Sequence, residues 1–223
     1  MPHQSYFASL ASGALGGDLT DDICKEFLLR RLAHCQHAFR VRIHAYLLLE
    51  TEVLLLMTPG TPGGFSAFNE FLRTSYSEYF SVRFCCNNRE PLTEPKVSLL
   101  HNHALVRNCQ KYIERYAMVH RGYTHPGEYR FSSYCSNAFN LRPRGIERHR
   151  AFDEMFEEKR SALEKYRAFV AEDFADSSEP IIEERPRIGS RCPVTMNGFR
   201  FEKHRALTDI NKSGTMPAIG RDA

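Results

Sequence analysis

The 223-residue sequence predicts an α+β fold, on three observations. Two uninterrupted apolar runs, Ile43 to Leu49 and Val53 to Met57, flank the polar break Glu50-Thr51-Glu52 and read as two buried strands joined by a tight turn. Segments of helical spacing alternate with short strand-like runs around this hairpin, in the order strand, helix, strand, strand, helix, strand, helix. The composition, 42% apolar and 26% charged, suits a globular domain with its own core. Such an order makes a ferredoxin-like unit, an antiparallel sheet with helices on one face, followed here by a C-terminal helical extension and a basic tail.

Tyr6 to Ala11 supplies a first strand, ended by Gly13, Gly16 and Gly17. Thr20-Asp21-Asp22 carries an N-cap signal with acids in the first turn, and a helical period runs from Ile23 to about residue 38. The hairpin's apolarity is continuous rather than alternating, which requires cover on both faces. Pro59 to Gly64 is a loop, Ser66 is placed to cap the second helix, and Phe68, Phe71, Leu72, Tyr76, Tyr79 and Phe80 give that helix a wide aromatic face to about Phe84. Lys96 to Leu100 makes the last strand and Ala104 to Val119 a third helix. His125-Pro126-Gly127-Glu128 breaks it, and a further helical segment is expected over Glu147 to Phe174. The organisation is a folded domain over 1–140, a helical extension over 141–176 and a basic, partly disordered tail over 177–223, where arginines and lysines outnumber acids.

Several classes are disfavoured. No window approaches the roughly 18 apolar residues of a membrane span. The start, Met-Pro-His-Gln-Ser, has no basic segment followed by an apolar run, so a cytoplasmic location is expected. Seven cysteines without a C-x-x-C pair write neither a disulfide framework nor a zinc site, and adjacent Cys85 and Cys86 read as plain thiols. A net charge of +3 permits nucleic-acid binding without requiring it.

The hairpin I-H-A-Y-L-L-L-E-T-E-V-L-L-L-M-T-P, residues 43–59, resembles the single-tyrosine HUH transposase family, most closely the branch associated with repetitive extragenic palindromes. That branch has approximately V-H-A-Y-V-L-M-P-N-H-V-H-L-L-L-T-P at the same length. Four further patches carry the likeness. Gln110 to Val119, Q-K-Y-I-E-R-Y-A-M-V, is similar to the family's nucleophile helix, with its Asn-Pro replaced around Arg115 and Tyr116. His125 to Ala138 is similar to the H-P-x-x-Y-x-W-S-S-Y-x-x-N-A block. Tyr76 to Phe80 and Tyr166 to Val170 match shorter segments, so the resemblance covers roughly Ser5 to Val170.

The resemblance implies DNA transposition by tyrosine strand cleavage on single-stranded or hairpin DNA. In that chemistry a histidine pair on alternate strand positions holds a divalent metal and a helix tyrosine attacks phosphorus. Here the two histidine positions are Glu52 and Leu54, and the matching tyrosine is Tyr112. Cleavage is therefore expected to be impaired, with no bound cofactor expected, and Mg2+ or Mn2+ the metal if the site were active. Tyr112 reads both as a candidate nucleophile and as a core tyrosine with a satisfied hydroxyl. Glu52 reads as a metal-ligating carboxylate or as a turn residue, and His101 with His103 as solvated strand-end histidines or as part of a rebuilt site. Arg42, Lys96, Arg107, Lys111, Arg115, Arg121 and Arg130 are the candidate phosphate contacts. DNA is the expected partner of a monomer or homodimer, with a rebuilt metal-dependent nickase and an exapted protein-interaction module as the alternatives.

Overall fold

The computed structural model describes residues 4–12, 19–86, 90–141, 145–156 and 161–172. Four strands, β1 (Ser5–Ala11), β2 (Val41–Leu48), β3 (Glu52–Pro59) and β4 (Lys96–Leu100), form one antiparallel sheet in the order β2-β3-β1-β4. Helices α1 (Asp22–Phe39), α2 (Gly64–Phe84) and α3 (His103–Arg121) complete the ferredoxin-like arrangement. No helix among the described residues is long and apolar enough to cross a membrane.

Successive residues of β1 show how the layers are disposed. Tyr6 stacks on Phe65 of α2 with ring centroids 6.0 Å apart, while Phe7 meets Tyr112 of α3 edge-on at 6.4 Å. Because neighbouring strand residues point to opposite faces, α2 and α3 lie on opposite sides of the sheet. Helix α1 joins α2 on its side, with Phe27 stacked on Tyr79 at 3.9 Å. The side left open by the predicted layering is thus crossed by α3. Every residue from Val53 to Pro59 is buried, as cover on both faces demands.

Local chemistry sets the helix boundaries. Asp21 caps α1 by accepting from the Ile23 N–H at 2.8 Å, and Asn102 caps α3 by accepting from Leu105 N–H at 2.8 Å. Helix α2 departs from expectation. It begins at Gly64, two residues before Ser66, with Gly63 at its N-cap and no side-chain cap. The reason is a close approach: a Cβ on Gly64 would lie 2.9 Å from the Phe39 carbonyl oxygen, so the helix starts where the chain can touch the end of α1.

The helical extension is also shorter than expected. Instead of one helix from Glu147, a short 3-10 turn (Arg150–Phe152) leads into α5 (Asp153–Phe156), and α6 (Ala162–Ala171) follows. The backbone before that turn is taken by the sheet, because Ile146 bridges Ile43 in parallel and the Glu147 N–H donates to the Ile43 carbonyl at 2.9 Å. Farther along the same edge, Leu48 N–H donates to the Phe131 carbonyl at 3.0 Å and Ser133 N–H to the Tyr46 carbonyl at 2.9 Å. The outer edge of β2 is thereby paired rather than exposed. The expected basic tail, 177–223, lies outside the described residues.

Candidate functional site

Register places Glu52 and Leu54 under α3. Glu52 pairs with Ala11, Leu54 with Ser9 and Leu56 with Phe7, so all three share the face on which Phe7 touches Tyr112. Leu54 is 2% exposed and brings only carbon to that face. The Glu52 carboxylate accepts a hydrogen bond from the Tyr116 hydroxyl, and the Tyr112 hydroxyl bonds to Tyr116 in turn. The rings of Tyr112 and Tyr116 meet edge-on at 5.2 Å, as residues one helical turn apart do. Burial raises the Tyr116 phenol above the ordinary tyrosine range, and the Glu52 charge raises it further. The arrangement is a carboxylate and two phenols in series, capped below by leucine.

That set does not suit a divalent cation. A hard cation needs several oxygen or nitrogen ligands with free lone pairs, and here the one carboxylate is engaged by a phenol while the neighbouring position offers none. Among the described residues no group of three or more His, Cys, Asp or Glu is placed to hold a metal. His101 and His103 are exposed at the start of α3, and His103 precedes Tyr112 by nine residues, about 14 Å of helix at roughly 1.5 Å per residue. Glu52, these histidines and Tyr112 are not brought together.

The block that resembles the family most closely has a different role, which its residue types alone did not disclose. Glu114 on α3 is completely buried and receives three donors: Ser133 Oγ at 3.0 Å, Asn137 Nδ2 at 2.7 Å and the Tyr166 hydroxyl at 2.7 Å. Asn137 also donates to the His44 carbonyl at 3.0 Å, and Ser133 Oγ accepts from the Tyr46 N–H at 3.1 Å. Gln110 donates to the Tyr166 oxygen at 2.6 Å. One carboxylate therefore ties α3, α4 (Tyr134–Ala138), α6 and the edge of β2 together. Burial pushes the Glu114 carboxyl up to about 7 despite those donors.

A second buried polar chain lies at the other end of the sheet. His149 Nδ1 accepts from the Ala151 N–H at 2.9 Å, so its proton sits on Nε2 and faces Ser5 Oγ at 2.8 Å. Ser5 reaches Thr58 at 3.0 Å, Thr58 reaches His44 Nε2 at 2.9 Å, and His44 Nδ1 donates to the Glu147 carbonyl at 2.7 Å. This Ser-His contact is not a nucleophile with its base, because the imidazole donates. Burial lowers His44 to about 3 and His149 to about 4, keeping both rings neutral.

The predicted phosphate contacts divide by location. Lys111 and Arg115 are buried, with Lys111 Nζ 5.0 Å over the Phe169 ring and Arg115 donating to the Val170, Ala171 and Glu172 carbonyls at the end of α6. Their helix face is covered by α6, which neutralises carbonyls that α6 leaves unpaired. Arg107 is half-buried and donates to the Ala151 carbonyl at 3.0 Å. Arg121 pairs with Glu50, and Arg130 with Glu26 and, at 3.9 Å, Asp22. Arg42, Lys96, Arg121 and Arg130 are exposed. Cys85 and Cys86 are free thiols.

Together these features define a ferredoxin-like domain with a tyrosine-bearing helix laid across the sheet. That fold is shared with a solved REP-associated tyrosine transposase bound to a REP hairpin, at a TM-score of 0.53 and 14% identity over 67% of this chain and 88% of that one. A tRNA(His) guanylyltransferase from Saccharomyces cerevisiae aligns at a TM-score of 0.42 and 8% identity over 80% of this chain and 75% of that one. No family model matches the sequence, and no curated protein matches it either.

Proposed function

We propose that this is a transposase-like DNA-binding protein that engages single-stranded or hairpin DNA and does not perform metal-assisted tyrosine cleavage. The observation that carries the reading is the occupancy of the sheet face under α3. Leu54 and the Tyr116-bound Glu52 share that face, and they are the residues that the sequence resemblance matches to the family's metal-binding histidines. The shared fold with a hairpin-bound transposase supports the DNA-binding half. Arg42 and Lys96 are exposed cations placed for phosphates, Arg121 and Arg130 can reach them by exchanging their carboxylate partners, and such contacts need no metal.

Two measurements test the two halves separately. Fluorescence anisotropy with a labelled hairpin and an unstructured oligonucleotide is expected to show binding that weakens with salt, by about 0.7 to 0.9 in log-log slope for each phosphate neutralised. Absence of binding to both at low salt overturns the DNA reading. Incubation of the hairpin with Mg2+ or Mn2+ is expected to leave no covalent protein-DNA adduct. An adduct that disappears in Tyr112→Phe overturns the loss of cleavage.

A further inference from the structure

A cavity of about 300 Å³ opens where α3, α4 and α6 meet the segment after Gly145. Its volume suits a flat heterocycle of one or two rings rather than a polymer segment. Gln110 lines it and is 1% exposed. The Tyr166 hydroxyl donates to Glu114, so its oxygen must accept from the Gln110 amide nitrogen, which assigns that amide's orientation. The Gln110 carbonyl oxygen is then left buried with no hydrogen-bond partner among the described residues. A buried acceptor of this kind destabilises the fold until something donates to it.

The other lining groups share this bias. Asn137 spends its amide nitrogen on Glu114 and on the His44 carbonyl, which leaves its carbonyl oxygen as the remaining function. Glu147 and Asp153 bring carboxylates to the rim. At the buried end the functions left over are therefore acceptors, with the donors of Ser136, Asn140 and the Arg148 guanidinium nearer the opening. Flat surfaces accompany them, for the Arg148 guanidinium lies 4.1 Å from the Phe156 ring centroid at the cavity wall. A linear amine would satisfy the acceptors but waste the stacking surface, whereas a planar ring bearing amino groups uses both.

We propose that this cavity takes an unpaired nucleobase with an exocyclic amino group: adenine, cytosine or guanine in preference to thymine. The proposal rests on the DNA-binding reading only for the source of the base, and its test uses no DNA. Deoxyadenosine, deoxycytidine, deoxyguanosine and thymidine are titrated singly into the full chain, with binding followed by NMR chemical shifts of the protein. A ligand of this size is expected to bind with a dissociation constant in the millimolar range. Thymidine, lacking the amino group, is expected to bind about tenfold more weakly.

Leu141 is 60% exposed at the rim, so Leu141→Trp fills the opening without disturbing the core. It is expected to abolish nucleoside binding while leaving the circular dichroism spectrum and melting temperature unchanged. Equal binding of all four nucleosides, no binding of any, or undiminished binding by the folded Leu141→Trp variant overturns the proposal. If nucleosides bind and oligonucleotides do not, the cavity stands and the DNA reading falls. If hairpins bind and nucleosides do not, the reverse holds.

Discussion

Replacing Glu114 by glutamine tests the carboxylate clamp through the pH dependence of stability. The folded carboxyl titrates at about 7 and an unburied one at the ordinary value of 4.5. Between those values the folded state keeps a proton that the unfolded chain has released. Stability from this group is therefore full below about pH 4.5 and is lost as pH rises through about 7. The gap of about 2.5 pH units, at about 1.4 kcal/mol each, makes the loss roughly 3 kcal/mol. Glutamine does not titrate, so the stability of Glu114→Gln relative to the wild type should climb by that amount from about pH 4.5 to about pH 8. A misdirected amide N–H toward Ser133 or Asn137 adds only a constant offset. The chain has no tryptophan, so urea unfolding is best followed by far-ultraviolet circular dichroism. A difference between the two proteins that is flat with pH, or that shrinks as pH rises, refutes the buried-carboxylate account.

Three further outcomes follow from the polar interior. His44 and His149 titrate in the folded state at about 3 and about 4, below the ordinary value of 6.5. Their stabilisation is intact above about pH 6.5 and is lost on acidification, so Glu114→Gln, freed of the opposing carboxyl, should lose stability below pH 6.5 with a slope approaching two protons per chain in equilibrium unfolding. Tyr116→Phe removes the bond to Glu52 and should cost about 1 to 2 kcal/mol in the same measurement, with Tyr112→Phe costing less because Glu52 keeps its Tyr116 donor. Arg115→Ala strips the last carbonyls of α6 of their donor, and amide exchange in Ala162–Ala171 should accelerate while β3 amides stay protected.

What the sequence made legible was whatever local pattern decides. The apolar runs around Glu50-Thr51-Glu52 require a doubly covered hairpin, and Asp21 announces the start of α1 wherever the rest of the chain lies. Long-range contacts were hidden. The start of α2 depends on Gly64 meeting the Phe39 carbonyl, and the broken extension depends on Ile146 finding the edge of β2. Lys111 and Arg115 look like solvated charges on an amphipathic helix, and only the docking of α6 converts them to interior groups. At the site, Glu52 and Leu54 on alternate strand positions were readable as one face, but the pairing of Glu52 with Tyr116 was not. Its one signal was the four-residue spacing from Tyr112, which puts both phenols on one helical face.

The distribution of polar groups separates what holds this fold from what a cleavage site would need. Ser133 and Asn137 are committed to Glu114, and the Tyr166 hydroxyl binds it too. Losing any one of them leaves buried partners unsatisfied, at about 1 to 3 kcal/mol each, in a domain whose total stability is on the order of 10 kcal/mol. Glu52 and Leu54 carry no comparable debt, since a leucine under α3 packs against apolar neighbours and a carboxylate at the strand's end finds a phenol. The Ser133-to-Asn137 block therefore holds the scaffold, and any chemistry must be judged from what stands beneath Tyr112 and Tyr116.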